Sequence, residues 1–199
     1  MTRIIAGTAK GRRLATPKGS ETRPTSDRVR EALFSAVAAW CGSLQGLRVL
    51  DLYAGSGALG LEAWSRGAEH VTLVESDRRT AALIAANARD LGCDRADVRA
   101  ASVATTLSRR PDRPYDLVLS DPPYPLPVEA VQADLVALRD HGWLGAGALV
   151  VVERSSRGRA LTWPDGYAAA RDRRYGETVL WYGHAGPDDP ATDPEEGES

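Results

Sequence analysis

Residues 47–76 read "LRVLDLYAGSGALGLEAWSRGAEHVTLVES", and the order of residue types along them decides the fold class. "LRVLDLY" is a short apolar run bounded by glycines, which predicts a buried strand. "GALGLEAWSRG" predicts the helix that follows it, and "HVTLVES" predicts a second buried strand. A strand, a glycine-containing loop, a helix and another strand form the unit from which parallel sheets are built.

The same alternation continues downstream. "DRRTAALIAANARDLG" (77–92) predicts a helix, "DVRAAS" (97–102) a short strand, "YDLVLS" (115–120) a strong strand, "VEAVQADLVALRDHGWL" (128–144) a helix and "ALVVVE" (148–153) a further buried strand. The expected fold is α/β and Rossmann-like, a doubly wound, mostly parallel sheet covered by helices on both faces. "YAAARDRRYG" and "ETVLWYGH" then follow with no helix between them, which predicts an antiparallel pair closing one edge.

Upstream, "RIIAGTAKGRRLAT" (3–16) predicts a short basic hairpin, which at that size must lean on the main body. "TRPTSDRVREALFSAVAAWCG" (22–42) predicts a helix capped by Thr25 or Ser26, with Asp27 in its first turn, Val29, Leu33, Val37 and Trp40 on its apolar face and Gly42 as its stop. The chain therefore divides into a basic arm (1–24), a main domain (25–183) and an acidic tail expected to be disordered (184–199).

Charge is distributed unevenly. The 199 residues carry a net charge of −2, but six acids and no Lys or Arg fall from His184 onward, which leaves 25 basic against 21 acidic residues in the body. Within the first 31 residues eight Lys or Arg face three acids. Arg3, Lys10, Arg12, Arg13, Lys18 and Arg23 make this an arm suited to phosphates. Cys41 and Cys93 stand far apart, and His70, His141 and His184 form no ligand cluster, so neither a disulfide framework nor a metal site is expected. No secretory leader or membrane-length apolar run is evident, and the expected location is the cytoplasm.

In doubly wound sheets ligands collect at the carboxyl ends of strands, where the loop "YAGSGALG" falls. Gly55, Gly57 and Gly60 allow close approach of the backbone, and the following helix presents its N-terminus. Glu75, at the end of the second strand, is placed to accept from ribose hydroxyls. GSGALG also satisfies the dinucleotide fingerprint, which keeps an NAD-dependent oxidoreductase as a rival. Asp51 separates the two readings. An acid there suits the cationic amino group of S-adenosylmethionine, whereas beside a pyrophosphate it is repulsive.

The second chemical signal is "SDPPY" (120–124). Each proline fixes its own φ and drives the preceding residue to extended geometry, and neither brings an N–H donor. The turn thus offers acceptors, above all the Asp121 carboxylate, while Tyr124 adds a flat face for stacking. Acceptors beside a stacking surface suit the exocyclic amine of a nucleobase. The chemistry leaves the polymer open, because adenine N6 or cytosine N4 in flipped-out DNA bases fits it as well.

"DLYAGSGALGLEA" with "SDPPY" resembles the class I S-adenosylmethionine-dependent methyltransferases that modify exocyclic amines. "RIIAGTAKGRRLATP" followed by "TRPTSDRVREALF" is similar to the N-terminal signature of the RsmD family, bacterial 16S ribosomal RNA guanine-N2 methyltransferases. The resemblance runs from about Arg3 to Gly183. It implies a seven-stranded sheet, S-adenosylmethionine as methyl donor and a guanine of small-subunit rRNA as acceptor. Carried over by position, it implies Asp51, Gly55, Gly57, Glu75 and Ser102 around the cofactor, Thr25 and Arg28 helping to close the cleft, and Asp121, Pro122 and Tyr124 holding the base. A monomer acting on rRNA, within a small-subunit particle, is the expected assembly. A non-catalytic RNA-binding assembly module remains a further alternative.

Overall fold

A computed structural model describes residues 2–17 and 26–186. It begins with two short strands, β1 (Thr2–Arg3) and β2 (Arg13–Leu14), and helix α1 (Asp27–Cys41). The order then runs β3 (Arg48–Leu52), α2 (Ala58–Ser65), β4 (His70–Glu75), α3 (Arg78–Leu91), β5 (Ala96–Ala100), α4 (Val103–Leu107) and β6 (Tyr115–Ser120). It closes with α5 (Val128–Asp140), β7 (Leu144–Ser155), β8 (Tyr167–Tyr175) and β9 (Thr178–Ala185).

Seven strands form one sheet in the order β5-β4-β3-β6-β7-β9-β8, parallel from β5 to β7 and antiparallel across β7-β9-β8. The chain winds outward from β3 through β4 to β5, returns to β6 on the other side of β3, and then continues to β7. The strand order therefore reverses between β3 and β6, and a crevice opens at the carboxyl ends of those two strands. Leu52 pairs with both Val74 and Ser120, so the loops that follow all three strands start from one edge.

Burial on both faces explains why these strands are continuous apolar runs. Val49, Leu73, Leu117 and Val151 pack under α1, α2 and α3 against Phe34, Leu61 and Ile84. Leu50, Leu52, Val118 and Val152 point the other way, against Val103, Val131 and Leu135 of α4 and α5. Each fully buried leucine contributes about 1.5–3 kcal/mol relative to leaving it in water.

Local chemistry sets the helix ends. Ser26, rather than Thr25, caps α1, accepting from the Val29 N–H at 3.3 Å, and Asp77 caps α3, accepting from the Thr80 N–H at 2.7 Å. The helix expected over 128–144 stops at Asp140. The chain turns at Gly142 (φ +70°), and the Trp143 carbonyl already accepts the Tyr115 N–H as β7 begins. Next to the edge strand β8, β9 runs to Ala185, one residue beyond the stretch read as a strand and two into the expected tail.

The N-terminal arm is stitched to the body. The Ile5 and Ala6 N–H groups donate to the buried Glu62 carboxylate at 2.7 and 2.9 Å, and Thr8 N–H donates to the Ser65 carbonyl at 2.8 Å. At Gly7 (φ +82°) a Cβ would lie 1.8 Å from the Ser65 oxygen, so only glycine permits this approach. Ile4, Ala9 and Leu14 join the same core cluster as α1 and α2.

Candidate active site

A cleft of about 770 Å³ opens at the carboxyl edge where the strand order reverses. Asp51, Tyr53 and Gly55 line it from the end of β3 and its loop, Glu75 from β4, and Ser102 and Val103 from the start of α4. Asp121 and Pro123 enter from the loop after β6, with Leu126, Ala130, Ala133 and Asp134 as the wall beyond. Thr2, Thr16, Pro17 and Arg30 bring the arm and α1 to the same space.

Four carboxylates line this cleft, Asp51, Glu75 and Asp121 at the strand ends and Asp134 on α5. Asp51 is 1% exposed, and its Oδ2 accepts the Gly60 N–H at 2.8 Å while its Oδ1 has no hydrogen-bond partner. Burial pushes its pKa up to about 8, against the Gly60 hydrogen bond that favours the charged form, and the negative charges of Asp121 and Glu75 push the same way. Glu75 accepts the Gly55 N–H at 3.0 Å on Oε2 and the Asp77 N–H at 2.8 Å on Oε1, which orients it across the loop. A buried acceptor with an unused oxygen among like charges fits a cationic ligand and repels a pyrophosphate.

The segment after β6 is tied to β3 by its first residue. Asp121 N–H donates to the Leu52 carbonyl at 3.4 Å, which ties it to β3, and Leu126 N–H donates back to the Pro123 carbonyl at 2.9 Å to close the turn. Pro122 is buried and does not line the cleft, whereas Pro123 does. Tyr124 is 47% exposed, outside the cleft lining, as the one exposed large hydrophobic side chain among the described residues.

Other expected residues fall differently. Gly57 (φ +80°) packs its backbone against Ile84, Leu61 and Leu73 and does not line the cleft, so it shapes the turn. The Ser102 hydroxyl caps α4 through Thr105 N–H at 3.1 Å, yet the residue stays on the cleft wall. Arg28 is exposed and away from the lining, and Arg30 takes the cleft-facing place instead. The helix turns about 100° per residue, so position 30 shares the buried face of Val29, Leu33 and Phe34. Arg3, Lys10, Arg12 and Arg13 are exposed on the arm, with Arg3 paired to Asp27 and Arg12 donating to the Asp90 carbonyl. Thr25, Lys18 and Arg23 lie outside the described residues, as does the tail from 187.

Tyr53 and Asp134 escaped the sequence reading. Tyr53 has φ +61° and donates its hydroxyl to Asp134 Oδ2 at 2.5 Å, joining the β3 loop to α5. Burial raises the pKa of both groups, making each a weaker acid, and the neighbouring carboxylate raises that of Tyr53 further. Asp134 had a legible signal, an acid at helical spacing among Val131, Leu135 and Leu138.

Among the described residues there is no cluster of metal-ligating side chains and no helix long and apolar enough to cross a membrane. A second hollow of about 410 Å³ lies between α3 and the start of β5, lined by Ala85, Ala88, Cys93 and Val98. It offers a thiol and apolar atoms away from the switch point.

The family described as "Conserved hypothetical protein 95" matches residues 2–184. Ribosomal RNA small subunit methyltransferase D of Escherichia coli K12 is 36% identical over 177 residues, covering 89% of this chain and 86% of the relative. Its namesake in Haemophilus influenzae is 34% identical, covering 87% and 89%. Among solved structures, the Escherichia coli protein yhhF, provisionally described as a methyltransferase, superposes with a TM-score of 0.82 at 32% identity over 93% of this chain and 98% of that one. Magnesium protoporphyrin IX methyltransferase from Synechocystis, solved with bound SAH, shares the fold at a TM-score of 0.60 and 15% identity, over 79% and 82% of the two chains.

Proposed function

The chain belongs to the conserved hypothetical protein 95 family, that of the ribosomal RNA small subunit methyltransferase D proteins, and we propose that its acceptor is the N2 amine of a guanine in small-subunit rRNA. It is an S-adenosylmethionine-dependent rRNA methyltransferase. The observation that carries the cofactor assignment in this chain is the unused Oδ1 of the buried Asp51, beside Glu75 and Asp121.

The residues fit the cofactor. Asp51 would meet its ammonium group, Glu75 its ribose hydroxyls, and the Ser102–Val103 wall its adenine. When bound, S-adenosylmethionine supplies an electrophilic methyl group on a sulfonium. The chain's task is then geometric. Asp121 accepts a hydrogen bond from the exocyclic amine, which draws the nitrogen lone pair out of conjugation and aims it at the methyl. The stiff Pro122–Pro123 turn keeps that carboxylate from swinging away. Holding two reactants in line supplies on the order of 7–11 kcal/mol of a barrier. Asp121 also takes up the proton that leaves the amine after transfer, while the exposed Tyr124, next to Pro123, stacks on the incoming base.

The arm (1–24) and the main domain (25–183) divide the labour into RNA contact and catalysis. The substrate is rRNA within a small-subunit particle, and the enzyme works as a monomer in the cytoplasm. Nucleoside mass spectrometry tests this directly, with labelled S-adenosylmethionine supplied to unmethylated small subunits, stripped rRNA or duplex DNA. Label in N2-methylguanosine from the particle is the expected result. Label in N6-methyladenine or N4-methylcytosine from DNA would keep the chemistry of Asp121 and replace the substrate.

A further inference from the structure

Arg30 is the one cationic side chain in the cleft lining among the described residues. Its side chain is 1% exposed, yet the residue lines the same cavity as Asp51 and Asp121. Nη2 donates to the Arg3 carbonyl at 2.6 Å and to Asp27 Oδ1 at 3.0 Å, while Nε is buried with no hydrogen-bond partner. Leaving a buried guanidinium N–H unpaired is costly, so a site of this kind is completed by an acceptor from elsewhere. Asp51, Glu75, Asp121 and Asp134 on the cleft wall are acidic, and they suit the cationic and hydroxyl parts of a ligand.

S-adenosylmethionine carries one anionic group, the α-carboxylate of its methionine moiety, and Asp51, Glu75 and Asp121 repel it. We infer that Arg30 is the residue that binds this carboxylate, an assignment that rests on the cofactor reading under Proposed function. A guanidinium suits the task because it stays charged even where burial opposes it, as burial does here, and because its donors match a carboxylate fork. The same guanidinium holds the backbone of Arg3. Cofactor loading and arm position therefore share one side chain.

Calorimetry with S-adenosylmethionine and its decarboxylated analogue, which lacks only the carboxylate, tests the assignment without reference to turnover. The wild-type protein should bind the intact cofactor at least about tenfold more tightly than the analogue, the worth of one charge-assisted hydrogen bond. Arg30→Gln should lower affinity for the intact cofactor to that of the analogue and leave the analogue unchanged, with Arg30→Lys in between. Equal loss of both compounds, or equal wild-type affinity for both, would overturn the inference and leave Arg30 a clamp on the arm. Failure of the wild-type protein to bind either compound would instead strike the cofactor reading on which the inference rests.

Discussion

Asp51 Oδ2 accepts the Gly60 N–H at 2.8 Å, across the turn between β3 and α2, and this single bond fixes a buried carboxylate whose other oxygen is unused. A Cβ at Gly60 would stand 3.1 Å from Oδ2 and 2.8 Å from Leu73, so this glycine in the first turn of α2 serves this close approach rather than flexibility. The folded protein holds the Asp51 proton up to about pH 8, whereas an unfolded chain releases it near pH 3.9. The stability that Asp51 contributes is thus present below about pH 4 and is lost as pH rises towards 8. Asp51→Asn should remove that slope, so its melting temperature gains on the wild type from pH 5 to pH 8. Because a cationic ligand selects the ionised form, cofactor binding at pH 7 should release protons in the wild type and not in the variant. Calorimetry in buffers of different ionisation enthalpy reads this, and equal proton release in both proteins would refute the assignment.

Glu62 holds the arm from inside the core. Its carboxylate accepts from Ile5 and Ala6 and pairs with Arg66 Nε at 2.7 Å. A glutamine has one acceptor oxygen where three donors now converge. Glu62→Gln should cost about 1–3 kcal/mol and raise hydrogen exchange at Ile5 and Ala6 while the amides of β3 and β6 keep their protection. Unchanged protection at residues 5 and 6 would show that Ile4, Ala9 and Leu14 anchor the arm alone.

What could be read from residue order was whatever repeats or punctuates. Apolar runs of strand length, separated by helical periods, announced the doubly wound sheet, and Asp51, Glu75 and Asp121 were legible because each stands at or next to a strand end. The arm's docking was not legible, because it depends on Glu62, one acid on a helix, meeting backbone groups nearly 60 residues away. Arg30 was displaced by Arg28 in the reading because the two differ only in helical phase. Tyr53 gives no sign in sequence, since a tyrosine at positive φ is a consequence of the loop it occupies. Helix α4 spans five residues, too few for a period to show.

The exposed arginines of the arm should act on the polymer alone. Arg13 stands on β2, and Arg12 reaches the Asp90 carbonyl at 2.6 Å, both on the surface and outside the cleft lining. The double variant Arg12→Ala, Arg13→Ala should weaken rRNA binding and flatten its salt dependence, by about 0.7–0.9 in the log–log slope for each phosphate that is no longer neutralised. Affinity for S-adenosylhomocysteine should not move. Parallel weakening of RNA and cofactor binding would reject the division of labour between arm and cleft.

Tyr124 provides the separate test of base stacking. It follows two prolines, is 47% exposed and packs on neither core cluster, so truncating it should leave the melting temperature within about a degree. Stacking of a base on an aromatic ring is worth about 1–3 kcal/mol, so Tyr124→Ala should lower kcat/KM for RNA by roughly five- to 150-fold. Tyr124→Phe keeps the ring and should stay close to the wild type. If phenylalanine proved as damaging as alanine, the hydroxyl and not the ring would be the working group. An alanine variant with full activity would place the incoming base against Pro123 and Leu126 instead.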